Sequence, residues 1–166
     1  LRFGQAVAID GDTTVIGARG DAAAFSRGVA YVFVREGEVW TQQAVLLASD
    51  GGILDYFGLA VSISGNNASI GAIFDDDNGA NSGATYVFTR SGDTWSEHVK
   101  LLATDGGKDD WLGWSVAFDG SSVLVGAIQC DVSGSKSGVA YLFSASLIFA
   151  DGLESGDCSR WSDEVP

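Results

Sequence analysis

The sequence predicts an all-β protein made of three tandem four-stranded antiparallel sheets of the propeller-blade type. Three observations predict it. A period of about 55 residues runs through the chain, each period alternates short apolar runs with tight-turn residues, and the composition suits strands rather than helices. Of 166 residues 23 are glycine and only one is proline, with no methionine and many Val, Ile, Phe, Tyr and Trp. A chain of this length buries roughly 70% of the surface its unfolded form exposes, enough for one domain with a real core.

Within the first period Ala6-Val7-Ala8-Ile9 and Thr14-Val15-Ile16-Gly17 flank Asp10-Gly11-Asp12, a strong hairpin signal. Val29 to Arg35 and Trp40 to Leu46 flank Glu36-Gly37-Glu38 in the same way. Strands are therefore expected near 5–10, 13–18, 28–35 and 39–47, recurring with the period. Phe3-Gly4, Phe57-Gly58 and Leu112-Gly113 open the three units, 54 and 55 residues apart. Gly17-Ala18, Gly71-Ala72 and Gly126-Ala127 keep the spacing, as do Gly28, Gly83 and Gly138 ahead of Tyr31-Val32-Phe33, Tyr86-Val87-Phe88 and Tyr141-Leu142-Phe143. Tyr31 and Phe33 lie two apart and share a face, so the Tyr-x-Phe pairs of successive units are expected to form aromatic layers between sheets. Trp40 and Trp95 match in the fourth strand. The third unit stops at Ser144 without that strand, which Ser146 to Ala150 or a neighbouring chain's terminus would have to supply.

Phe-Gly, an apolar hairpin, Gly-Ala, then Gly-x-x-Tyr-Val-Phe resembles the FG-GAP pattern of the integrin α-subunit propeller and, more closely, of the short-hairpin FG-GAP proteins exported by bacteria. The resemblance covers residues 1–145, in units of about 1–55, 56–110 and 111–145, with 146–166 as a C-terminal tail. It implies a β-propeller, an extracellular or cell-surface setting, and roles in adhesion or ligand binding. Members often carry an Asp-rich calcium loop between Phe-Gly and Gly-Ala. Here only Asp10-Gly11-Asp12, Ser64-Gly65-Asn66-Asn67 and Asp119-Gly120-Ser121 stand there, too few oxygens for the six to eight that calcium takes, so that site is not carried over. The tail around Phe149-Ala150-Asp151-Gly152-Leu153-Glu154-Ser155-Gly156-Asp157 resembles a short ending of exported bacterial proteins, which would place Pro166 near a natural terminus.

Nine basic against 22 acidic residues give a net charge of −13, which argues against nucleic acid and anionic membranes as partners. No apolar run reaches the ~20 residues of a spanning helix, so membrane insertion is not expected. Calcium is the one candidate ion, with no cofactor required. Its candidate ligands are Asp75, Asp76, Asp77 and Asn78 in one loop, and Asp105, Asp109 and Asp110 in another, though a solvated or Gly-capping turn is the plainer reading of each. Asp50 with Asp55 recurs as Asp105 with Asp110, one unit on, which marks a repeated structural task.

Cys130 and Cys158 are the only cysteines and form a candidate disulfide pinning the tail. Asn67-Ala68-Ser69 is a formal glycosylation sequon expected at the surface, and Arg19-Gly20-Asp21 reads as a chance tripeptide in a variable loop. His98, the only histidine, stands where the preceding unit has Gln43, and no nucleophile elbow accompanies it. Nothing selects a catalytic pair from the many carboxylates. The expected function is therefore a non-enzymatic extracellular structural or adhesion protein that self-assembles through blade edges into a homo-oligomer or fibre. The alternative is a propeller module that binds a glycan or surface protein through its loops, with Trp111 and Trp114 beside Asp109 and Asp110 as the nearest such platform.

Overall fold

The computed structural model describes residues 1–20, 26–131 and 136–144, and the backbone of 159–161. Twelve strands form three sheets, with no helix among the described residues. The first blade holds β1 (Arg2–Asp10), β2 (Thr13–Arg19), β3 (Gly28–Glu36) and β4 (Val39–Leu46). The second holds β5 (Val61–Ser64), β6 (Asn67–Ala72), β7 (Ala84–Ser91) and β8 (Thr94–Leu101). The third holds β9 (Leu112–Phe118), β10 (Ser122–Ala127), β11 (Val139–Ser144) and β12 (Ser159–Trp161). Each is an antiparallel meander with strands in sequence order. The alternation of apolar residues that predicted the strands is what buries them: in β3, Ala30 and Val32 point to one side and Tyr31 and Phe33 to the other.

The outer strand of the third blade comes from the same chain, but from Ser159–Trp161 rather than the expected Ser146–Ala150, a segment outside the described residues. Ala140 pairs with Trp161, as Ala30 pairs with Leu46 and Thr85 with Leu101. The register of that edge is thus met without a neighbour's terminus, and the argument for strand addition there falls.

Blades stack face to face. The Val15, Ala30 and Val32 side of blade one packs on Phe57, Ile70, Tyr86 and Phe88 of blade two. The Val87 and Leu101 side of blade two packs on Leu112, Val125, Tyr141 and Phe143 of blade three. The expected aromatic layers are therefore mixed layers. Because side chains alternate, each blade offers its aromatic pair to one neighbour and an aliphatic face to the other, so tyrosine and phenylalanine meet valine and alanine. Phe57 contacts the rings of Tyr86 and Phe88 edge-on at 5.5 and 6.0 Å. Burying such a ring stabilises by about 2–3 kcal/mol.

Glycines let the backbones of adjacent blades touch. A Cβ on Gly17 would lie 2.2 Å from the Gly58 carbonyl oxygen, and one on Gly28 2.0 Å from that of Phe57. The next join repeats this, with Gly71 and Gly83 at 2.1 and 2.2 Å from the carbonyl oxygens of Gly113 and Leu112. Each Gly-Ala and its following glycine thus form a notch, and the Phe-Gly or Leu-Gly of the next blade is the knob that fills it. Gly58 and Gly113 hold φ of +86° and +94°, a left-handed conformation that turns the knob carbonyls into the notch and suits glycine.

Candidate functional site

The densest cluster of charge lies at the first join, with Asp75 buried and Asp50 and Asp77 exposed. Lys100 projects from β8 at the place where the first unit carries Val45, and its Nζ meets Asp50 Oδ2 at 2.9 Å, Asp75 Oδ2 at 2.8 Å and Asp77 Oδ2 at 2.6 Å. The Tyr86 hydroxyl donates to Asp50 Oδ1 and Asp75 Oδ2 at 2.7 and 2.8 Å. Burial alone would raise the Asp50 carboxyl, yet hydrogen bonds from Lys100 and Tyr86 outweigh it and hold it below the usual range. Burial likewise works to lower Lys100, but the three carboxylates raise it, while burial and the two aspartates together push Tyr86 well up. Asp50, Lys100 and Tyr86 are thus each held in the resting state. The ammonium is fully ion-paired and the carboxylates are occupied, so the cluster clamps two blades and offers neither a base nor a nucleophile.

The second join keeps half of this device. Tyr141 Oη donates to Asp105 Oδ1 at 3.0 Å, and Cys130 stands where Asp75 stands one unit earlier, its Sγ 3.9 Å from that hydroxyl. Burial, and then the nearby charges of Asp110 and Asp105, raise the Cys130 thiol. It is buried and free. The expected bridge would end on Cys158, which lies outside the described residues.

The acidic residues read as calcium ligands are spent on turns and ties. Asp76 Oδ1 accepts from the Asn81 amide at 2.7 Å, and Asn78 Nδ2 donates to the Ala103 carbonyl at 2.5 Å. Asp109 Oδ1 accepts from Asn81 Nδ2 at 2.7 Å, and Asp110 Oδ2 caps the Gly107 amide at 2.6 Å, as Asp55 caps Gly52. Among the described residues no group of three His, Cys, Asp or Glu side chains is placed to hold a metal ion, the three aspartates that do converge holding the Lys100 ammonium. His98 is exposed in β8. Of the sequon, Asn67 is half-buried at the start of β6, its Oδ1 accepting from Thr89 Oγ1 at 2.8 Å, and Ser69 is wholly buried. Of Arg19-Gly20-Asp21, Asp21 falls outside the described residues.

Two surfaces remain. Along the loop rim Arg19 caps Tyr56 at 4.4 Å, Tyr56 meets Phe74 at 4.9 Å, Phe74 meets Trp111 at 5.4 Å, and Trp111 stacks on Trp114 at 5.8 Å. Trp114 is exposed. Sequence reading found the two tryptophans but not the row, because its members come from all three units. The other surface is the outer face of blade one, where Phe3, Val7, Ile9 and Val45 are exposed around Tyr31 and Phe33. Phe3 packs edge-on to Tyr31 at 5.4 Å.

Three stacked meander sheets joined by backbone notches define a tandem repeat protein of the β-propeller-blade class. The FG-GAP repeat profile matches residues 2–33, 40–88 and 95–143, and the chain belongs to the FG-GAP repeat family. The second and third matches each start in the outer strand of one blade and end in the third strand of the next. The search of curated proteins gives no match. FG-GAP repeats are typically non-catalytic and typical of extracellular or surface proteins.

Proposed function

We propose that this chain is a non-enzymatic extracellular structural or adhesion module that works by self-association, its outer blade face serving as the contact. One observation carries the reading. Phe3, Val7 and Ile9 are 59%, 69% and 67% exposed, whereas their counterparts one unit on, Phe57, Val61 and Ile63, are buried against blade one. A contiguous apolar face built for burial, on a chain of net charge −13, marks an interaction surface. Sedimentation of the 166-residue chain tests it: a mass that is a multiple of 17.2 kDa supports the reading, and a monodisperse monomer at high micromolar concentration defeats it. The contact needs no ion, so the mass should be unchanged by a calcium chelator.

The row from Arg19 to Trp114 favours a second reading, a loop rim that binds a glycan by stacking sugar faces on the exposed indole. Tryptophan fluorescence titrated with oligosaccharides, in the chain and in Trp114→Ala, distinguishes it. A response that persists in the variant removes this reading.

A further inference from the structure

We propose that two copies of the chain join blade one to blade three, seating Phe3-Gly4 of each copy in the Gly126 and Gly138 notch of the other. The inference rests on the self-association reading and names the surfaces and the geometry through which it runs.

Both halves of the joint are already formed. Gly4 holds φ +83°, matching the +86° of Gly58 and the +94° of Gly113, yet among the described residues nothing lies within 4 Å of a Cβ placed on it. The knob of blade one is shaped but has no notch to fill. Blade three has the reverse. Among the described residues a Cβ on Gly138 would come nearest to Ala127 and Ile128, at 3.6 Å, and one on Gly126 nearest to the side chain and amide of Ser115, whereas the same two positions in blades one and two meet a neighbour's carbonyl at 2.0 to 2.2 Å.

The faces around knob and notch agree. On the far side of blade three, Ser115, Gly126 and Ala140 pair across the sheet as Ala6, Gly17 and Ala30 do, and Ala117, Leu124 and Leu142 as Ala8, Val15 and Val32 do. This is the small aliphatic surface that receives Phe57, Val61, Tyr86 and Phe88 in the first join, and blade one presents Phe3, Val7, Tyr31 and Phe33 at the matching positions. The polar ties have counterparts too. In the first join Asp10 accepts from the Gly65 amide at 2.6 Å and Arg90 reaches Thr13 Oγ1 at 3.1 Å. The corresponding residues are Asp119 with Gly11 and Arg35 with Ser122, two donors on blade one facing two acceptors on blade three. Reciprocal seating occupies both surfaces of each copy and so closes the assembly at two, whereas the same contact made in one direction would run on as an open filament.

Sedimentation velocity with two variants tests the joint. Val7→Asp places a charge on the blade-one face, and Gly126→Ala puts a Cβ where the incoming carbonyl must sit, displacing only the Ser115 hydroxyl in the free chain. The unaltered chain is expected at twice 17.2 kDa and each variant alone at the single mass. An equimolar mixture of the two is expected to recover pairs of weaker affinity, since one intact face meets one intact notch and the second joint is lost. Leu124→Asp replaces Gly126→Ala if the latter loses its native circular dichroism. A pair that survives both blade-three substitutions, a mixture that stays monomeric, or a ladder of longer particles overturns this joint while leaving self-association intact. A monomeric unaltered chain overturns both.

Discussion

Blades one and two carry the same face in opposite surroundings. Phe57 is 1% exposed and its counterpart Phe3 is 59% exposed, though both open their units with the same Phe-Gly step. The difference teaches that the repeat does not specify burial blade by blade. It specifies a complementary pair of faces, and a side chain's energetic weight depends on whether a neighbour has arrived.

Phe57→Ala should break this comparison most visibly, costing about 4 kcal/mol in urea unfolding as the ring leaves a cavity between two blades. Phe3→Ala, measured at a concentration where chains are apart, should cost under about 0.5 kcal/mol. Equal losses at the two positions would mean that blade one's face is covered in solution. Lys100→Met should cost about 3 kcal/mol by stranding the buried Asp75 carboxylate, against roughly 0.5 kcal/mol or less for Val45→Met at the matching exposed position. Gly71→Ala should cost about 2–3 kcal/mol because its Cβ meets the Gly113 carbonyl, while Gly126→Ala should stay under about 1 kcal/mol in the free chain.

The clamp between blades one and two also predicts an alkaline limit. Tyr86 and Lys100 are both raised above their ordinary values of 10.0 and 10.5, so the folded chain holds protons that the unfolded chain releases. Their stabilisation is complete below pH 10 and declines above it, on the order of 1 kcal/mol per pH unit, visible as a falling thermal midpoint. Tyr86→Phe should shallow that decline. An effect of opposite sign lies in the second join, where Thr85 Oγ1 is buried with no hydrogen-bond partner among the described residues and the first unit has Ala30 instead. Thr85→Val keeps the shape and should gain about 1 kcal/mol.

The period, the strand positions and the hairpin turns were legible in the sequence because they depend on neighbours close along the chain. The first strand of unit two is the exception, beginning at Val61, whereas β1 begins at Arg2 and β9 at Leu112. The recurrence of Asp50 and Asp105 was also visible, but not its purpose. The tyrosine hydroxyl that each meets lies 36 residues further on, and Lys100 replaces a valine at a position that gives no local sign of facing three carboxylates. The outer strand of blade three was sought next to β11, yet it arrives from Ser159–Trp161, and no periodicity crosses the intervening tail.

The notch reads backbone carbonyls first, through two missing Cβ atoms. A gene that duplicated or deleted one whole unit would therefore deliver a blade whose joints already fit, whatever its loops had become. Copy number can then drift in steps of about 55 residues at little structural cost, because each added blade meets only its immediate neighbours. A slip of a single residue between Gly17 and Gly28 would put a methyl group against a carbonyl and be lost. Lengthening in such a lineage is expected to proceed by whole units, with the loop rim free to diversify from one copy to the next.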